Sequence, residues 1–103
     1  MIPAGSVNLG MDVKKFRETL QNSQPPEEVS IHLQALWYDG KGDWERAHDL
    51  IQDLPDGDSA RIHGYLHRRE GDQSNALYWY RRAGLPAFTG SLEQEWDAIV
   101  GSL

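Results

Sequence analysis

Residues 58–83 read DSARIHGYLHRREGDQSNALYWYRRA, and this stretch decides the fold. Apolar residues recur at helical spacing on both sides of Gly71-Asp72. Glycine can end a helix in the left-handed conformation, and an aspartate directly after it can cap the next one. The stretch therefore predicts a helix, a tight turn and a second helix. At about 100° per residue, with Ala60 as origin, Gly64 and His67 share one sector, and Ile62 and Leu66 lie at roughly 200–240°. Arg61, Tyr65 and Arg68 occupy the remaining sector. In the second helix Ala76, Trp79, Tyr80 and Ala83 make an inward stripe, while Tyr78, Arg81 and Arg82 point away.

Upstream the pattern recurs. Pro25 and Pro26 predict a helix start, and Glu27 and Glu28 suit its positive end, so a helix is expected from Glu27 to about Gly40. With Ile31 as origin, Ala35 and Tyr38 fall together, Leu33 and Trp37 form a second apolar sector, and His32, Leu36 and Asp39 form a third at roughly 80–140°. Gly42-Asp43 then turns the chain into a helix with the stripe Trp44, Ala47, Leu50, Ile51 and Leu54, closed by Pro55, Asp56 and Gly57. At the N-terminal side Asp12 caps a short helix carrying Val13, Phe16 and Leu20. At the C-terminal side Ser91 and Gln94 form a capping box for a helix over about 91–101, with Leu92, Trp96, Ile99 and Val100 on one face. Residues 1–11 show no periodicity and are expected to be a flexible tail, leaving a single helical domain over 12–103.

Composition narrows the classes. The 103 residues suffice for one core, and the four Trp and four Tyr raise its apolar content. No cysteine is present, so thiolate metal sites and cysteine nucleophiles are excluded. Neither a basic leader with a long apolar run nor a membrane-length apolar segment is visible, and a cytoplasmic protein is the expectation. The net charge is −6, with five of the seven arginines inside residues 59–82. A chain so acidic argues against phosphate-backbone binding, and nucleic acid is not an expected partner.

The two Gly-Asp turns stand 29 residues apart, and the same shift superposes Ser30 on Ser59, Leu33 on Ile62, Ala35 on Gly64 and Ala47 on Ala76. With Gly64, Gly71-Asp72, Ala76, Tyr80 and Ala83, this resembles the tetratricopeptide repeat, and the run Asn75 to Gly84 is similar to the end of Sel1-like repeats. The resemblance covers two degenerate repeats, about residues 27–54 and 58–83. It implies an all-α fold of antiparallel helical hairpins, a two-repeat right-handed array with N- and C-terminal capping helices.

The resemblance also implies a function. The inner face of such arrays binds an extended peptide or helix, and here the groove would be lined by His32, Leu36, Asp39, Arg61, Tyr65 and Arg68. Arg61 and Arg68 offer forked donors, so an acidic peptide or protein segment is the expected partner of a small adaptor or scaffold. Both arginines are expected to be exposed.

Chemistry-bearing residues are few. His63 and His67 are spaced i and i+4 with Glu70 three further, so the three could serve a metal, although Gly64 replaces the glutamate of an HExxH motif. A metal- or small-ligand-binding module on His63, His67 and Glu70 is thus the alternative function. A structural homo-oligomer contacting through Tyr78 and Arg82 is a third. No nucleophile is paired with a base and no phosphate-binding loop occurs, so the reading is not an enzyme, with no cofactor.

Overall fold

Capping residues fix where each helix begins. The structure, a computed structural model, describes residues 12–103. The expectation of a flexible tail falls on residues 1–11 and lies outside the described residues. Among the described residues every regular element is helical: α1 Val13–Glu18, a 3-10 turn Thr19–Gln21, α2 Ile31–Gly40, α3 Trp44–Ile51, α4 Gly57–Arg69, α5 Gln73–Arg82 and α6 Leu92–Ser102. Asp12, Asp43 and Asp72 each accept a backbone N–H of the first turn that follows. The capping box of α6 is complete, with Ser91 Oγ accepting Gln94 N at 3.0 Å and Gln94 Oε1 accepting Ser91 N at 2.8 Å.

The start of α2 differs from the sequence expectation. Pro25 and Pro26 do not open it; the helix begins at Ile31, behind Ser30, whose hydroxyl accepts Leu33 N at 3.2 Å. A serine oxygen satisfies a free N–H of the first turn, which two prolines and two glutamates upstream do not do. The start of α4 is capped instead by Asp56, which accepts Ser59 N at 3.0 Å. Ser30 and Ser59, superposed by the 29-residue shift, therefore have different jobs: a cap, and a residue inside the first turn.

Two antiparallel hairpins, α2–α3 and α4–α5, form the body. Their turns share one geometry: Gly42 and Gly71 both sit at φ +89°, and Asp43 N and Asp72 N both donate at 2.8 Å, to Tyr38 O and His67 O. This is the paired bonding that consumes the last free carbonyls of a helix around a left-handed glycine. Gly64 eases close approach within the second hairpin, since a Cβ there would stand a tight 3.1 Å from the Tyr80 ring.

The core joins both hairpins to the outer helices. Phe16, Leu36, Trp37, Ile51, Ile62, Tyr65, Leu66, Trp96 and Ile99 are all buried. From α1 and its following turn, Phe16 meets Trp96 at 5.7 Å between ring centroids, and Thr19 O accepts Trp37 Nε1 at 3.1 Å. From the other end, α6 lies across both α2 and α4: Trp96 Nε1 donates to Leu36 O at 3.0 Å, and Arg68 Nη1 donates to Glu95 at 2.7 Å. No helix among the described residues is long and apolar enough to cross a membrane.

Candidate functional site

The sector expected to be an open groove is covered by α6. Leu36, Asp39 and Tyr65 are buried, and Tyr65 donates its hydroxyl to Asp39 Oδ2 at 2.7 Å. Arg68 is not an exposed ligand donor. It pairs with the buried Glu95, whose other oxygen takes the Tyr80 hydroxyl at 2.6 Å. Arg61 is also only partly exposed and donates to Ser102 Oγ at 2.9 Å. His32 closes the cap of α4, its Nε2 within 2.8 Å of Asp56 and 3.0 Å of Ser59 Oγ. Burial raises the Asp56 carboxyl, but the bonds from Ser59 and His32 outweigh it and hold the group at about 2. The six residues therefore belong to one side of the fold, and the apolar face of α6 rather than solvent meets their middle. Sequence periodicity identifies the sector but not what covers it.

The histidines converge more than their sequence spacing suggests. His63 and His67 stack on adjacent turns of α4, ring centroids 4.9 Å apart. Packing of α3 against α4 brings in His48, whose Nε2 is 2.8 Å from His63 Nε2. The donor nitrogens of His48, His63 and His67 all lie within 4.8 Å of one another. His48 is the residue missed from sequence, because it stands on another helix; its one signal is the i, i+4 spacing from Trp44, on which its ring stacks at 4.8 Å.

Glu70 has a different place from the one expected. Its carboxylate is 2.7 Å from His67 Nδ1, so a neutral His67 donates there and presents the Nε2 lone pair elsewhere. That is the outer carboxylate of a carboxylate–histidine pair, which fixes the tautomer and the orientation of the ring. A second group, His67, Glu70 and Asp72, also has donor atoms within 4.8 Å, but both its carboxylate residues are more exposed and Asp72 is already spent capping α5.

Aromatic rings wall the cluster. Trp79 stacks on His63 at 3.8 Å, and Trp44 is anchored above His48 by its Nε1 donating to Leu66 O at 2.7 Å. Burial first, and the neighbouring His48 and His67 after it, push the His63 imidazole down to about 4. Burial also lowers His48, with His67 second. At neutral pH both rings are thus uncharged, the state that carries a free lone pair or a single shared proton. Tyr78, on the outer face of α5, is 46% exposed, and Arg82 reaches back to its hydroxyl at 3.3 Å.

The chain shows no match to any protein-family model, curated protein or solved structure. Three imidazoles in a walled cluster can hydrogen-bond among themselves or each turn a lone pair toward one cation that prefers nitrogen donors.

Proposed function

We propose that this chain is a small metal-binding helical module in which His48, His63 and His67 ligate one divalent transition-metal ion and Glu70 orients His67. The convergence of three imidazole donor nitrogens within 4.8 Å carries this reading. A tetrahedral ion with Zn–N bonds of about 2.0–2.1 Å spaces its ligand nitrogens by about 3.3 Å. His48 and His63, now at 2.8 Å, need to open slightly, while the widest pair closes by rotation of side chains. An all-nitrogen set suits zinc, copper or nickel and not magnesium or calcium. Three protein ligands leave a fourth position for water or an exogenous ligand.

The test is metal content after chelation and re-addition of zinc or nickel, followed by dialysis. One ion per chain is expected, lost in His48→Ala and in His63→Ala. Absence of stoichiometric binding, or binding unchanged in His48→Ala, sinks the reading.

A second reading keeps the interaction module. Tetratricopeptide-like architecture is supported by the identical Gly42 and Gly71 turns and by the small residues Ala35 and Gly64 at equivalent positions. The helix that crosses α2 and α4 is itself acidic, with Glu95 on Arg68, so the surface between those helices suits an acidic amphipathic segment. In this reading a partner helix competes with α6. Titrating a peptide of residues 91–103 into the Trp96→Ala variant checks it by NMR; an unperturbed spectrum removes the adaptor.

A further inference from the structure

The 29-residue shift that superposes the two hairpins also lays Ser74 on Glu45, Tyr78 on Asp49, Arg81 on Gln52 and Arg82 on Asp53. All eight residues are exposed. The outward face of α5 thus repeats that of α3 and the turn after it, with acids in the first and arginines in the second. Among the described residues, none of Glu45, Asp49, Asp53, Arg81 and Arg82 has an ion-pair partner. One such face is ordinary wet surface, but two of opposite sign at equivalent places make a molecule complementary to itself.

Both helices flank the same side of α4. His63 is met from α3 by His48, Nε2 to Nε2 at 2.8 Å, and from α5 by the Trp79 ring, stacked at 3.8 Å. Trp44 bonds Leu66 O while His48 reaches back to His63, so α3 runs antiparallel to α4, as α5 does. The acidic and the basic helix therefore lie side by side, parallel and in step. A twofold axis along them sets α3 of one copy over α5 of the other, and α5 over α3, with Asp53 opposite Arg82 and Asp49 opposite Tyr78. An axis across them would put acid on acid and arginine on arginine, which like charges oppose.

We infer that the outward face of α3 and α5 is a self-association surface, on which two copies of this chain pair about that first axis with the acids of each α3 on the arginines of the other copy's α5. A uniformly acidic partner would suit α5 and be repelled by α3, and a basic one the reverse; a second copy answers both helices at once. Arg82 is already held for the contact. Its guanidinium rests over the Tyr78 and Trp79 rings at 6.0 and 5.4 Å and donates to the Tyr78 hydroxyl at 3.3 Å, so little side-chain freedom is lost on pairing. Pairing needs none of the three histidines, and either inference can fail without the other.

Sedimentation equilibrium of the full chain tests it, in chelator so that metal-bridged pairs are not counted. A monomer–dimer equilibrium is expected, weakened about tenfold in molar salt because the ion pairs are exposed. The doubly reversed variants Arg81→Glu/Arg82→Glu and Asp49→Lys/Asp53→Lys should each be monomeric, since either puts like charges across both contacts. Mixed one to one they should pair again, because one then carries only acids on this face and the other only bases, and that recovery also shows that both are folded. A wild-type chain still monomeric at about 0.5 mM overturns the inference, and binding of poly-glutamate through Arg81 and Arg82 would then give the face to an acidic partner. A variant that dimerises alone, a mixture that stays monomeric, or a mass that grows past two copies with concentration overturns it as well.

Discussion

Glu95 on α6 and Arg68 on α4 meet at 2.7 Å, and Glu95 is 1% exposed. A carboxylate so placed depends on its partner for compensation, since removing one member of a buried pair leaves an uncompensated charge. Arg68→Ala is therefore expected to destabilise the domain by about 3–5 kcal/mol. Arg68→Ala combined with Glu95→Gln should cost clearly less. Urea unfolding of the two variants gives the comparison, and equal losses would show that the pair is not coupled.

Removing the indole that seats α6 should be equally costly. Trp96 is 7% exposed, packs on Phe16 and bonds Leu36 O, so Trp96→Ala is expected to lose about 3–5 kcal/mol. Hydrogen exchange should accelerate at Leu36 and Tyr65, the residues that α6 covers. Loss of stability without that local exposure would place the effect elsewhere.

The two left-handed glycines offer a cleaner comparison. Nothing lies within 4 Å of a Cβ built on Gly42 or Gly71, and both have φ +89°. Alanine at either position then costs only backbone strain, about 1–2 kcal/mol. Gly42→Ala and Gly71→Ala should lower the urea midpoint by the same amount, and unequal shifts would show that the turns are not equivalent.

Acid should weaken the metal-free fold through His63. Its imidazole is held at about 4 against an ordinary 6.5, so between those values the unfolded chain binds more protons than the folded one. The stabilisation is complete above about pH 6.5 and is lost as the pH falls through about 4, up to about 3 kcal/mol for this group. In chelator, His63→Gln should flatten that slope between pH 7 and pH 4. A slope unchanged by the substitution would assign it to other groups.

Outer-shell support of the metal is tested by Glu70→Gln. Loss of such a carboxylate typically costs 10–100-fold in metal affinity. Zinc should raise the melting temperature of the wild-type chain, with a smaller rise in Glu70→Gln and none in His48→Ala. An undiminished rise in Glu70→Gln would remove Glu70 from the site while leaving the three histidines.

Much of the architecture is legible without coordinates. Asp12, Asp43, Asp72 and Ser91 cap as their positions imply, and the turn glycines end their helices where expected. These features rest on hydrogen bonds that span only a few residues, so local sequence specifies them. The misplaced start of α2 is local too: Ser30 competes with Pro25 and Pro26 for it and supplies the better acceptor, while α3 ends at Ile51, short of the expected Leu54.

The site is another matter. Helical periodicity places Leu36, Asp39, Tyr65 and Arg68 in one sector, yet it cannot tell whether that sector meets water or Trp96, which lies 60 residues beyond Leu36. His63 and His67 show themselves by spacing, whereas His48 joins them only through the packing of α3 on α4. Sequence by itself determined the helices, their ends and the amphipathic faces, because those depend on short-range bonds and on a fixed angle per residue. Only the tertiary structure decided that α6 covers the inner face and that three imidazoles converge. Those outcomes depend on which distant apolar surfaces displace the most water together.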